Sequence, residues 1–297
     1  MLNTQMWRNL LGLSLLLLAP LILLMALLTI PPAAPVAAQE QVILDWQTDA
    51  DGNPLLAGQV IDDEFHSATG ISITLRAQST APDGSNVRAI FPSHQPPVSA
   101  SGQTIDPDLG TPNETCPGGG PGIGEGGEVG QPGENCTPQE NILIIPTVGD
   151  SDGDGFIDGL PDDDARGGLA IFLFSHSVTI DYLEVIDQEN AETADIRAYS
   201  DVSGDPGTLI AETSTVPFGD NSFQRVALGS SGVMRLDVAY EGSGGLANLA
   251  YTPDEPTAVS LSTLDGSMSF SRLTPFLAAV ALLFVLTVAW MRQSRRA

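Results

Sequence analysis

Between Gln41 and Tyr251, apolar residues recur at every second position in short runs. Gly, Pro, Asp and Asn interrupt those runs about every eight to twelve residues. A helix needs a period near 3.6 sustained over about ten residues, and none of these runs supplies it. Period two sends successive side chains to opposite faces, so each run can bury one face of a strand. In Val233–Tyr240, for example, Met234, Leu236, Val238 and Tyr240 share one face while Arg235 and Asp237 share the other. The pattern predicts an all-β fold, an antiparallel β-sandwich. Its strands are expected at Val42–Trp46, Gly70–Ala77, Val87–Phe91, Asn141–Pro146, Gly168–Phe174, Val178–Ile186, Ala194–Ser200, Thr208–Ser214, Phe223–Leu228, Val233–Tyr240 and Leu246–Tyr251. A turn is expected at Ser175–Ser177, and Asp201–Gly207 reads as a hairpin turn.

Both ends carry a different signal. Arg8 precedes an apolar run, Leu10–Ile30, and the small residues Ala33–Ala38 put Val36 and Ala38 where a leader peptidase reads them. The expectation is a signal peptide over 1–38, cleaved before Gln39; the run is also about long enough to remain as an anchor. Leu273–Met291 is apolar and, at about 1.5 Å per residue, matches a bilayer core of roughly 30 Å. A transmembrane helix is therefore expected over 272–292, with Trp290 at an interface. Arg292 and the tail 293–297, with Arg295 and Arg296, stay in the cytoplasm by the positive-inside rule. This topology places 39–251 outside the cell membrane as a single-pass ectodomain and makes 252–271, rich in Ser, Thr and Pro, a stalk. The tail resembles sorting signals of the PEP-CTERM type, although its P-E-P signature is missing and no LPxTG-like motif is present.

Charge removes several functions. All 11 basic residues are Arg, and all 37 acidic residues lie between Gln39 and Arg272. Seven Arg share that span, giving it a formal charge of −30. Such a surface repels nucleic acid and favours cations. With no Lys, there is no P-loop, no Schiff-base chemistry, no S-x-x-K acyl transfer and no Lys–Asn cross-link. The two cysteines, Cys116 and Cys136, fall in the exported part, where oxidation joins them. The Gly/Pro-rich stretch 101–140 around them reads as a floppy peripheral loop closed by that disulfide.

The sharpest motif is G-D-S-D-G-D-G-F-I-D-G in the acidic loop 150–164. Asp150, Asp152, Asp154 and Asp158 there match the D-x-D-x-D-G-x-x-D spacing and resemble thrombospondin type 3 and dockerin-like calcium loops. Alternate carboxylates, with Gly155 allowing a sharp turn, can curl around one Ca²⁺. An EF-hand would carry Glu where Pro161 stands, so Asp162, Asp163 or Asp164 would have to replace that ligand. A second candidate is Asp49, Asp51 and Asn53, whose D-G-N sequence is equally ordinary turn chemistry.

Catalytic patterns are poor. His66, His94 and His176 lie in no H-E-x-x-H, and no G-x-S-x-G occurs. A glycosidase needs only two carboxylates at the right distance, so the sequence leaves that reading open. For sugar binding, Trp46 is the sole Trp outside the apolar ends, and Tyr182, Tyr199, Tyr240 and Tyr251 are candidates for stacking or for the core. Asn113 and Asn135 stand in glycosylation sequons.

Four segments together resemble a module of bacterial secreted and surface proteins: D-W-Q-T-D-A-D-G-N-P-L-L-A-G-Q-V-I-D-D-E-F, N-I-L-I-I-P, L-F-S-H-S-V-T-I-D-Y-L-E-V-I-D and G-D-N-S-F-Q-R-V-A-L. The resemblance spans Asp45–Tyr251 and implies a jelly-roll-like sandwich at the cell surface, with no activity attached. The expected function is a calcium-stabilised structural or adhesive surface domain that is not an enzyme. Its candidate partners are the membrane, surface polysaccharide or other surface proteins. A calcium-dependent carbohydrate-binding module is the alternative, with a glycan-acting hydrolase behind it.

Overall fold

The computed structural model describes residues 40–65, 71–79, 85–189 and 191–254. The segments expected as signal peptide (1–38), transmembrane helix (272–292) and tail (293–297), most of the stalk, and His66 lie outside the described residues. Nine strands form: β1 (Val42–Leu44), β2 (Ile73–Ser79), β3 (Ala89–Phe91), β4 (Ile142–Ile144), β5 (Gly168–Gln188), β6 (Ala194–Tyr199), β7 (Leu209–Ser214), β8 (Gly219–Tyr240) and β9 (Gly245–Pro253). The described residues contain no α-helix, only 3-10 turns at Pro107–Leu109, Glu125–Gly127 and Pro206–Thr208. None is long and apolar enough to cross a membrane.

Every pairing between these strands is antiparallel. The order is β3-β4-β9-β5-β8-β6-β7, with β1 added to β9 and β2 to β5. Two departures from expectation organise the fold. The turn expected at Ser175–Ser177 is absent, and β5 runs through it for 21 residues. Leu173 pairs with Arg235 and the next partner pair is Val178 with Val233, so the S-H-S stretch bulges out of register rather than reversing the chain. At that bulge β5 changes neighbours: Phe174 pairs with Ile73 of β2, Val178 with Pro253 of β9. The runs expected as Phe223–Leu228 and Val233–Tyr240 likewise join in β8, 22 residues long. Gly229 and Gly232 take left-handed φ of 58° and 78° there, and the register against β5 slips between Val178 and Tyr182.

Strands bent by bulges can serve two leaves of a sheet. The first half of β5 lies between β2 and the end of β8, which continues to β6 and β7. Its second half lies between the start of β8 and β9, which carries β4 and β1. Buried residues from both halves, including Phe172, Leu183, Ile196, Leu236, Leu249 and Tyr251, belong to one apolar core. The fold is β-sandwich-like. Trp46 sits in this core, 5.6 Å from the Phe65 ring and 6.3 Å from Phe172. A smaller cluster of Phe91, Leu109, Ile142, Ile144, Ile186 and Ala247 forms where the Gly-rich segment meets the sheet.

That segment is not the peripheral, floppy loop its composition predicts. Cys116 and Cys136 are joined by a disulfide, as expected. Between them the chain is docked against the start of β8, and the glycines make the docking possible. A Cβ on Gly122 would run into Gly110 O, and one on Gly124 into Asp220 O. Glycine here permits close backbone approach rather than mobility.

Candidate metal centre

The loop Asp150–Asp158 is fixed at both arms. Thr147 N–H donates to Asp162 O and Asp158 N–H to Gly149 O, while Val60 N–H donates to Gly155 O and Ile157 N–H to Gly58 O. Buried Ile157 anchors it. The tip folds by carboxylates accepting backbone N–H groups: Asp150 Oδ1 from Gly153 at 2.7 Å, Asp150 Oδ2 from Gly155 at 2.9 Å, Asp158 Oδ2 from Ser151 at 2.9 Å. Gly153 and Gly155 supply left-handed φ of 77° and 88°. The Gly155 N–H is the main reason the Asp150 carboxyl is held below its ordinary range. Carboxylate oxygens of Asp150, Asp152 and Asp158 come within 4.8 Å of one another. Asp154, the fourth predicted ligand, is outside that group and accepts the Phe156 N–H at 2.9 Å.

Around Asp49, Asp51 and Asn53 the side chains turn to each other. Asn53 Nδ2 donates to Asp49 Oδ2 at 2.8 Å, and the Asp51 and Asn53 N–H groups donate to Asp49 Oδ1. Asn53 is the chief cause of Asp49's lowered pKa. This is an Asx-type turn by its bonds. It borders a cavity of about 160 Å³ lined by Leu44, Asp45, Asp49, Phe65 and Tyr251.

None of the three replacement ligands considered for the missing Glu joins the loop group. Asp164 pairs with Arg166 at 2.8 Å. Asp162 and Asp163 instead meet Asp106, with carboxylate oxygens within 4.8 Å. This second group was not predicted, because its members come from separate segments. Asp106 opens the 3-10 turn before Gly110, Asp187 lies near the end of β5, and the β8–β9 turn contributes Ser243 and Gly244. Asp106 and Asp187, and Asn221 beside them, all hold left-handed φ of 50–60°.

Asp163 is 8 % exposed and Asp187 0 %. The Ser243 hydroxyl lies 2.8 Å from Asp163 Oδ2 and 2.7 Å from Asp187 Oδ2, with one hydrogen to share. Gly244 N–H also donates to Asp163 Oδ2, and Asn221 N–H donates to Asp187 Oδ1 at 2.7 Å. Burial is the first cause raising the pKa of Asp106, Asp163 and Asp187. Contact with Asp108 adds to it at Asp106, and the Asp108 charge does so at Asp187. Among the described residues no Arg pairs with them: Arg166, Arg197, Arg225 and Arg235 form ion pairs with other acids.

Asn221 ties this group to the Gly-rich segment. Its Nδ2 donates to Asp108 O at 2.6 Å and Gly110 O at 2.7 Å, its Oδ1 accepts from Asn113 Nδ2, and its backbone O accepts from Asn135 Nδ2. Asn113 and Asn135 are 0 % and 1 % exposed, so the folded protein hides the acceptor Asn of both sequons. His94 and His176 are exposed, and Ser175 Oγ lies 3.0 Å from His176 Nδ1. A third acidic group, Asp62, Asp63 and Glu64, lies at the surface.

No family model matches the chain, and no curated protein matches it.

Proposed function

We propose that this chain is a surface domain, held outside the membrane by its C-terminal apolar segment, with a structural or adhesive role and a jelly-roll-like fold rigidified by calcium. The observation that carries the reading is the convergence of Asp150, Asp152 and Asp158 on a loop whose two arms are already fixed. Without a cation, carboxylates at such separations repel; a bound Ca²⁺ removes the repulsion and takes about six to eight oxygen ligands. The topology rests on the apolar ends and the Arg cluster. Burial weakens the rival readings. Trp46 is 0 % exposed and unable to stack on a sugar, and Tyr199, Tyr240 and Tyr251 are buried as well. Asp163 and Asp187 are too enclosed to flank a glycosidic bond.

The test is thermal unfolding of the full chain in chelator and in millimolar calcium. Extracellular calcium modules bind at about 10⁻⁴ to 10⁻³ M, and a hundredfold excess over Kd stabilises by about 2.7 kcal/mol. For a domain of this size that raises Tm by roughly 5–10 °C. Asp152→Ala with Asp154→Ala should remove part of the shift. An unchanged midpoint in the wild type, or an equal shift in the double variant, would show that the loop is a solvated acidic turn.

A further inference from the structure

The buried acidic group at the base of the loop differs from the tip in kind. At the tip the carboxylates are solvated and occupied by backbone N–H groups. At the base, carboxyl groups are taken out of water, and among the described residues no Arg pairs with them, which disfavours their charged form. Two observations beyond the clustering point to a missing ligand. Tyr240 is 6 % exposed and its hydroxyl has no hydrogen-bond partner. Its ring lies against Gly244, whose N–H donates to Asp163. Asp108 Oδ1 is shielded from solvent and also has no partner, beside Asp106. Buried polar atoms in native folds are nearly always satisfied, so two orphans beside the segments that carry these carboxylates mark a place for something else.

We propose that Asp106, Asp108, Asp162 and Asp163, with Asp187 behind them, form a second, buried calcium site distinct from the Asp150–Asp158 loop. The donors are all oxygen, with no His or Cys, as a hard cation prefers. Asp162 is exposed and leaves a way in from solvent. Through Asp187 and Asn221 the ion fastens the Gly-rich segment to the sheet. The proposal extends the calcium reading above but uses different residues, so the two succeed or fail separately.

The test is equilibrium dialysis of the full chain against ⁴⁵Ca²⁺, for the wild type, Asp152→Ala/Asp154→Ala, Asp163→Asn/Asp187→Asn and Asp108→Asn. The expected result is two ions in the wild type, one in each double variant, and at least a tenfold weaker second ion in Asp108→Asn. A single wild-type ion that survives Asp152→Ala/Asp154→Ala and is lost in Asp108→Asn supports the buried site and removes the loop site. Two ions retained in a folded Asp163→Asn/Asp187→Asn protein would overturn the proposal. So would a wild type that binds only the ion lost with Asp152 and Asp154, since a shared proton would then hold the buried group together. If Asp163→Asn/Asp187→Asn fails to fold, Asp108→Asn decides, and unchanged affinity for both ions refutes the site.

Discussion

Replacing Asn221 with Ala removes the bonds that hold the Gly-rich segment to β8. The side chain donates to Asp108 O and Gly110 O and accepts from Asn113 Nδ2. After substitution Asn113 Nδ2 keeps its bond to Gly124 O at 2.9 Å, so the groups left without a partner are the two carbonyls. Each buried orphan costs about 1–3 kcal/mol, and carbonyls fall toward the lower end. Asn221 also has φ of 60°, a region Asn tolerates and Ala enters at about 1 kcal/mol. The expected loss is about 3–5 kcal/mol, a large fraction of a domain's usual stability. Asn221→Gly separates the terms: it removes the same bonds without the backbone strain and should recover about 1 kcal/mol relative to Ala. Urea denaturation followed by far-ultraviolet circular dichroism measures both. Digestion with a Glu-specific protease reports on Glu114, Glu125, Glu128 and Glu134 within the segment. A loss under about 1 kcal/mol, with no new cleavage there, would refute the idea that Asn221 is the anchor.

Two further substitutions probe the same docking. Gly124→Ala drives a methyl into Asp220 O, while Gly207→Ala meets nothing within 4 Å, so the first should destabilise by about 2 kcal/mol or more and the second by less than about 0.5 kcal/mol in urea titrations. Equal effects would mean the segment can lift away. Cys116→Ser with Cys136→Ser opens a loop of 20 residues and should cost about 3 kcal/mol by chain entropy, the full value because the segment is docked. A shift in the urea midpoint equivalent to less than about 1 kcal/mol would contradict it.

The strands were legible because each obeys a local rule. Alternation in Val233–Tyr240 places Leu236 and Val238 in the core and is visible in eight consecutive letters. The joins were not legible. Ser175–Ser177 and Gly229–Gly232 have turn composition, and whether such residues reverse a chain or bulge within it depends on neighbours supplied from elsewhere. Here the residue before β2 holds one side of the S-H-S bulge and the residue after β9 the other, since Ser175 N–H donates to Ser72 O and Asp254 N–H to Ser177 O. Glycine composition misled for a related reason. In an isolated chain glycine loosens the backbone; against another backbone it admits contact that no other residue allows, and only the fold shows which applies. The loop at Asp150 was readable because its ligand spacing is local.

The buried acidic group shows where sequence reading reaches its limit. Asp162 and Asp163 were visible as a run of acids after the loop, but Asp108 and Asp187 are 79 residues apart, and nothing local marks either. What joins them is topology: β5 ends where β8 begins, as the Gln188–Gly219 pairing shows, and the Gly-rich segment lies across that end. Asn221 accepts a left-handed backbone there because its N–H then meets Asp187 while its amide meets Asp108 O and Gly110 O. The residue reads as an ordinary turn Asn in G-D-N-S. In the fold it couples a buried acidic group to a segment with no strand or α-helix of its own. Whatever settles that group's charge therefore also sets how firmly the Gly-rich segment is held.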